Sequence, residues 1–252
     1  MKRLGGAISR WGLVVVLLIL WEILGRTLVT DPRTALFLPL PSTIAAAAWA
    51  MARDGSLLVD LGRSSARVAL GAGAAVVFGV MLGGVVASRP RLGAVLEGPI
   101  GWVRPIPPVA WVPLTILWFG VGELQQVVIL FFAATFVVSA GTADAVAGVP
   151  ASLLAAARNL GVPEASLLRR VSVPAALPGV AAAVREGVGT AWFVLVAAEF
   201  LSASEGLGVL ILEGRDLLEP ARTFVGMGAL AACGALTDLG LGSLQARLTR
   251  WM

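Results

Sequence analysis

Hydroxyl side chains recur at helical spacing inside a long apolar stretch of this 252-residue chain. Thr135, Ser139 and Thr142 are four and three residues apart, so a helix would place them on one face. Polar groups inside an apolar span are costly, and contact with a transported solute is one reason to keep them. Ser and Thr also bond to carbonyls of their own helix or hold neighbouring helices together. The spacing alone leaves both interpretations open.

A second polar set lies in the next apolar stretch. Thr190 and Trp192 fall inside it, and Glu199 follows near its predicted outer end. We expect Glu199 to lie at an outer rim, where its carboxylate would contact a protein partner or pair with Arg215 or Arg222. The candidates for lining or gating a pathway are therefore Thr135, Ser139, Thr190, Trp192 and Glu199.

Catalytic chemistry has few residues to use in this sequence. The chain contains no histidine, and Cys233 and Lys2 are its only cysteine and lysine. Ser-His catalysis and histidine metal ligation are therefore excluded, and Cys233 is predicted to pack in an apolar setting. The phosphate-binding pattern G-x-x-x-x-G-K-[ST] is also missing, so we expect no ATP hydrolysis by this chain and no cofactor bound to it.

The composition is that of a membrane protein. Hydrophobic residues make up 58% of the chain and charged residues 13%, about half the share in soluble domains. The arginines are scattered along the chain, which argues against a nucleic-acid partner and favours contact with lipid headgroups. We predict an all-α polytopic protein with about six transmembrane helices, at residues 11–29, 68–88, 100–119, 124–143, 179–198 and 223–241.

Several features modify these spans. The third contains four prolines and Arg104, and must be bent or partly broken. The fifth begins near Arg185 and Glu186, which we place close to a membrane interface. Glycines in the second indicate close helix packing. The distribution of Lys and Arg places both termini in the cytoplasm.

The segment 30–65 is predicted to be an external loop that carries a surface helix. Ser42 would cap this helix and Gly55 would stop it. Glu22 and Arg26, one helical turn apart in the first span, are predicted to form an ion pair. The whole chain, residues 1–252, is treated as a single transmembrane domain.

A basic segment at 150–178 interrupts the apolar pattern. Ser152 can cap a helix that runs through Leu160, and Gly161 suits a left-handed C-cap. Pro163 can open a second helix, which Pro174 and Pro178 would end. The pattern predicts a helix–glycine–helix hairpin on the cytoplasmic side. By pattern alone it could equally be a loop that covers the bundle.

The spacing of this segment resembles the EAA loop of ABC-importer permeases. That pattern reads Glu-Ala-Ala, three residues, Gly, nine residues, then Ile-x-Leu-Pro. Here Ala155, Ala156 and Ala157 precede Gly161, and Val171-x-Val173 precedes Pro174 at the same intervals. Ala155 stands where the family has its acidic residue. The resemblance implies an ATPase-coupling site formed by Ala155, Ala156, Ala157, Arg158, Asn159, Leu160, Gly161, Val162, Pro163, Glu164 and Pro174.

Three further segments resemble the nitrate, taurine, aliphatic sulfonate and bicarbonate branch of these permeases. They read SSARVALG at 64–71, RPIPPVAWVPLTILWFGVGE at 104–123 and AAEFLSASEGLGVLI at 197–211. The resemblance implies a type I importer fold in a bacterial inner membrane. It also implies two ATPase subunits, with ATP and Mg bound there, and a periplasmic or lipid-anchored binding protein. The pathway would form with a second permease copy, as a homodimer or as a pair with a related permease.

Two other classes compete with this hypothesis. A secondary transporter would show an internal inverted repeat and buried ionisable residues, and the sequence predicts neither. A polytopic membrane enzyme would have only carboxylate or Ser-Lys chemistry available. The branch resemblance indicates a small anion such as a sulfonate, taurine, nitrate or bicarbonate as substrate, although related permeases carry other solutes.

Overall fold

Helices make up most of the described chain. The computed structural model describes residues 2–28, 38–89, 91, 93–95, 102–103 and 105–251. These residues contain no β-strand. Ten helices are numbered here, with a 3-10 turn at Pro108–Trp111 and a π-helical turn at Leu168–Ser172: α1 Lys2–Leu28, α2 Pro41–Asp54, α3 Ser56–Ser88, α4 Val112–Phe119, α5 Glu123–Ala147, α6 Ala151–Asn159, α7 Glu164–Leu167, α8 Val173–Ser202, α9 Leu207–Asp216 and α10 Pro220–Leu248.

Within the described residues, four helices are long and apolar enough to cross a membrane: Ser56–Ser88, Glu123–Ala147, Leu168–Ser202 and Pro220–Leu248. The predicted first span falls in α1, which has 27 residues. Leu13, Val16 and Leu20 are among its half-exposed apolar side chains, as expected for a helix that faces lipid. The all-α polytopic architecture predicted from the sequence is thus confirmed.

The third predicted span is short where the structure describes it. A 3-10 turn at Pro108–Trp111 leads directly into α4, and together they cover twelve residues. A membrane crossing needs roughly 20 helical residues. Arg104 and most of the segment before it, residues 96–101, lie outside the described residues, as does the start of the predicted external loop, residues 30–37.

Of the two helix ends predicted for α2, one is confirmed and the other is wrong. Gly55 ends α2 with φ +86°, as predicted. Ser42 is not the cap, because α2 starts at Pro41 and Leu40 is its N-cap. Instead, the Ser42 backbone N–H and hydroxyl donate to the Glu22 carboxylate at 3.1 and 2.8 Å. Glu22 also pairs with Arg26 as predicted, at 2.6 Å, so one carboxylate joins α1 to the start of α2.

The prediction that Pro174 and Pro178 end a helix is wrong. The π-helical turn Leu168–Ser172 stands directly before Pro174, and its wider turn accommodates a residue without an N–H. Pro178 lies inside α8, which runs on to Ser202. Arg185 and Glu186 consequently lie in the middle of the Leu168–Ser202 span and not near its start. Ser152 likewise caps nothing, since α6 begins at Ala151 after Pro150.

The chain forms two compact units, Met1–Gly62 with Glu205–Leu230, and Arg63–Ser204 with Ala231–Met252. In the first unit, Met51, Leu210 and Val225 form a buried cluster, and Trp21 packs on Phe224 with ring centroids 5.7 Å apart. In the second unit, α5 and α8 form the most extensive helix pair.

Small residues allow this second unit to pack closely. A Cβ at Gly71 would lie 2.8 Å from Leu130 Cβ, and one at Gly79 would lie 2.8 Å from Val138 Cβ. A Cβ at Gly83 would collide with the Ser139 carbonyl oxygen. Three glycines of α3 therefore contact α5, as the sequence predicts for this span, because their missing side chains let the two backbones approach.

We expect Gly83→Val to destabilise the second unit by several kcal/mol, because the new side chain meets backbone atoms that cannot move aside. Gly84→Val is the matched control, since nothing lies within 4 Å of a Cβ there. Thermal unfolding of the purified chain in detergent, followed by tryptophan fluorescence, measures the difference. Equal midpoints for the two variants would contradict the packing described here.

Candidate functional site

A cavity of about 550 Å³ lies in the second unit between α4, α5 and α8 and the 3-10 turn that precedes α4. Most of its lining is apolar or aromatic. The polar exceptions are Thr115, Asp144, Glu186 and Thr190. A cavity of this size and character fits a small solute.

The structure brings one of the predicted pathway residues to this cavity. Thr190 lines it, and its hydroxyl donates to the Glu186 carbonyl at 2.9 Å. Thr135 and Ser139 are buried on the face of α5 that contacts α3, where their carbonyls approach Gly79 and Gly83. The remaining pathway candidates, Trp192 and Glu199, are buried and are not among the lining residues.

Glu199 belongs to a buried ion network. Arg67 Nη1 lies 2.6 Å from Glu199 Oε1, and both side chains are almost fully buried, with 2% and 0% exposed. The Ser64 hydroxyl donates to the same Glu199 oxygen at 2.7 Å. Arg67 also binds Glu123 bidentately, through Nη2 at 2.6 Å and Nε at 2.8 Å. The expected pairing of Glu199 with Arg215 or Arg222 is therefore corrected to a pairing with Arg67.

This network joins three helices and changes one expectation from the sequence. Buried ionisable residues do occur within the candidate spans, because Arg67 on α3 holds carboxylates from α5 and α8. Each member lies in one of the three segments that carry the family resemblance: Ser64 and Arg67 in the first, Glu123 in the second and Glu199 in the third. The sequence shows that these segments carry charged residues inside or beside apolar spans. It does not show that Arg67 and Glu199, which are 132 residues apart, form a pair.

A neutral chain of hydrogen bonds lies between the cavity and the end of α8. Gln125 Nε2 donates to the Thr115 hydroxyl at 2.9 Å, and Ser202 Oγ lies 2.6 Å from Gln125 Oε1. Gln126 Nε2 donates to the Ser202 carbonyl at 2.9 Å. Since these polar groups are buried, the hydrogen bonds between them fix the relative position of α4, α5 and α8.

The hairpin predicted at Gly161 is present. The Val162 N–H donates to the Ala157 carbonyl at 3.1 Å, and the Gly161 N–H donates to the Arg158 carbonyl at 2.9 Å. With Gly161 at φ +80°, this is the Schellman arrangement that ends a helix. Ala157 packs inward, whereas Leu160 is 84% exposed.

An ion pair spans the turn of the hairpin. Arg158 binds Glu164 bidentately, with Nε–Oε2 at 3.0 Å and Nη2–Oε1 at 2.8 Å. The hydrogen bonds from Arg158 lower the pKa of Glu164 below its ordinary value, and those to Glu164 raise the pKa of Arg158. The pair is therefore ionised at neutral pH and holds α6 and α7 together across the exposed turn.

Helices long and apolar enough to cross a membrane, together with a cavity that fits a small solute, place this chain among membrane transport proteins. Residues 75–251 match the family model described as the binding-protein-dependent transport system inner membrane component. The chain belongs to this family and is a permease subunit of an ABC importer.

The relatives and the fold agree with this assignment. The taurine transport system permease protein TauC of Escherichia coli is 33% identical over 245 residues, which cover 95% of this chain and 88% of TauC. The putative aliphatic sulfonates transport permease protein SsuC of Bacillus subtilis is 31% identical over 95% of this chain and 86% of its own length. A chain of the inward-facing MetNI methionine ABC transporter superposes with a TM-score of 0.67 at 19% identity, covering 77% of this chain and 96% of its own. The fold is that of a type I importer permease.

The Arg67 network provides a stability test. Arg67→Ala leaves the Glu199 carboxylate buried without its cation, which costs about 3–5 kcal/mol. Arg67→Ala combined with Glu199→Gln removes that uncompensated charge and should recover part of the loss. Unfolding of the purified chain in mixed detergent micelles would measure both variants. A double variant no more stable than Arg67→Ala alone would contradict the role given to Glu199.

Proposed function

We propose that this permease forms half of an ATP-driven pathway for a small sulfonate-like solute in a bacterial inner membrane. A binding protein, periplasmic or lipid-anchored, delivers the solute to one side. Two ATPase subunits dock on the other side and supply the energy, with ATP and Mg bound there. Two copies of this chain form the pathway, with both termini in the cytoplasm. A pair with a related permease is the alternative assembly.

The exposed hairpin is the observation that carries the proposed coupling role. Its tip is Leu160, an apolar side chain that water surrounds in this chain and that a cleft in the ATPase would bury. Beneath the tip, the Schellman turn and the Arg158–Glu164 pair make the hairpin rigid. A rigid element loses little conformational entropy on docking, and it transmits displacement along α7 into α8. The coupling set from Ala155 to Glu164, with Pro174 in the first turn of α8, occupies this element.

The cavity in the second unit supports a role in the solute pathway for some of the predicted residues. Thr190 faces the cavity, so we assign it to the pathway. Glu199 is assigned an indirect role, because the buried network fixes the end of α8 on which solute passage would depend. For Thr135, Ser139 and Trp192 a pathway role stays a prediction. Taurine and aliphatic sulfonates, the substrates in the names of TauC and SsuC, share a sulfonate group, which is the basis for proposing that class here.

Gly161→Val tests the coupling role. A residue with a Cβ costs roughly 1–2 kcal/mol in the left-handed region, and about 1.4 kcal/mol is a tenfold change in affinity. We expect about tenfold less ATPase to co-purify with the variant, and uptake into vesicles to fall in proportion. Gly55→Val is the control, because Gly55 has a similar φ of +86° and ends α2, which is not part of the hairpin. ATPase binding that is equal in both variants would leave the hairpin as a surface loop.

Exchanging the charges of Arg158 and Glu164 distinguishes two roles of Arg158, stiffening of the hairpin and direct contact with the ATPase. Arg158→Glu places like charges at the turn and should weaken ATPase binding, more at low salt than at high salt. Arg158→Glu with Glu164→Arg restores an ion pair of opposite polarity. If the pair acts only by stiffening the hairpin, the double variant recovers binding. If Arg158 itself contacts the ATPase, the double variant remains weak. Wild-type binding by Arg158→Glu alone would exclude both uses.

A further inference from the structure

An exposed carboxylate, that of Glu186, lines the cavity at mid-span. Helices α5 and α8 run antiparallel, with Gly141 against Ala183 and Gly187 against Val138. Glu186 thus lies at the level of Val138, about nine residues or 14 Å from the Ala147 end of α5. It lines the cavity, and Asp144 lines it nearer that end.

The neighbouring cation does not neutralise Glu186. Arg185 binds Asp238 of α10 bidentately, with Nε–Oδ1 at 2.9 Å and Nη2–Oδ2 at 2.7 Å, and its Nη1 lies 3.2 Å from Gln245 Oε1. Arg185 is therefore committed to partners on α10. Neither the Glu186 nor the Asp144 carboxylate has a hydrogen bond or ion pair within the part of the chain that the structure describes.

The rest of the cavity wall suits a small organic cation. An ionised carboxylate at membrane depth is costly unless a cation accompanies it. Four aromatic side chains line the same cavity, namely Trp111, Trp118, Phe132 and Phe136. The faces of aromatic rings attract ammonium groups, and tryptophan does so most strongly. The lining thus includes a carboxylate and aromatic rings, two kinds of group that attract an ammonium ion.

We propose that Glu186 and these rings bind the ammonium group of a zwitterionic substrate, so that the pathway carries an amino-sulfonate in preference to a simple anion. This inference rests on the proposed function and narrows its substrate class. A simple sulfonate, nitrate or bicarbonate would meet a carboxylate with no compensating charge on the solute. An amino-sulfonate brings its own cation, which pairs with Glu186 while the solute remains neutral overall.

The test uses the permease–ATPase complex in lipid nanodiscs without its binding protein. Binding of radiolabelled taurine is competed with ethylammonium, which keeps only the cationic group, and with ethanesulfonate, which keeps only the anionic group. We expect ethylammonium to compete at least tenfold better than ethanesulfonate. Glu186→Gln should lower taurine affinity at least tenfold, and Glu186→Asp should retain most of it. Asp216→Asn, which alters an exposed carboxylate of the first unit, should bind as wild type.

Three outcomes would overturn the inference: no taurine binding, equal competition by both probes, or unchanged affinity in Glu186→Gln. A loss of affinity in Glu186→Asp as large as in Glu186→Gln would also count against it, since it would indicate that the cavity had simply distorted. The proposed function is judged separately, by co-purification of the ATPase and ATP-dependent uptake of taurine with the binding protein present. If those succeed while Glu186→Gln changes nothing, only the ammonium site is lost.

Discussion

The packing of α5 against α8 is the contact on which the rest of the second unit depends. Glycines on both helices have no side chain to keep the two backbones apart. In a bilayer the hydrophobic effect does not drive helices together, so van der Waals contact between such small residues stabilises the pair. Because the two helices are antiparallel, this contact fixes the relative positions of three features: the hairpin, the buried ion network and the cavity. The hairpin adjoins one end of the pair, the buried ion network joins the other, and the cavity with Glu186 lies between them. A displacement of the hairpin therefore has a rigid helix through which to reach the cavity.

The ion network at the far end supplies constraint more than stability. Burying Arg67 and Glu199 costs desolvation free energy that their attraction roughly offsets, so an apolar pair of similar volume could hold the helices equally well. What the ions add is geometry, because guanidinium and carboxylate groups bind in few orientations. Glu123 completes the network from the exposed end of α5, where its side chain is 58% exposed.

The structural features that follow from local sequence could be predicted, and those that depend on residues distant in the sequence could not. Apolar runs predict the spans because bilayer thickness fixes their length, and Gly161 predicts the turn because the left-handed region excludes most other residues. The sequence did not predict that one helical span continues from Leu168 to Ser202. A proline normally ends a helix, and the local pattern does not indicate the π-helical turn that accommodates Pro174. The spacing of Thr135, Ser139 and Thr142 predicts a shared face but not that α3 covers it. Arg67 and Glu199 are each conspicuous in the sequence, yet only the fold brings them together.

We propose that ATP hydrolysis by a partner drives solute through this chain, and transport in a reconstituted system tests this mechanism most directly. The chain, its ATPase and its binding protein would be reconstituted in proteoliposomes with ATP enclosed on the ATPase side, and uptake of radiolabelled taurine followed with and without proton and sodium gradients. This mechanism predicts uptake that requires ATP and the binding protein and continues when ionophores collapse both gradients. Uptake that proceeds without ATP and stops when a gradient is collapsed would contradict it, and would identify a secondary transporter instead.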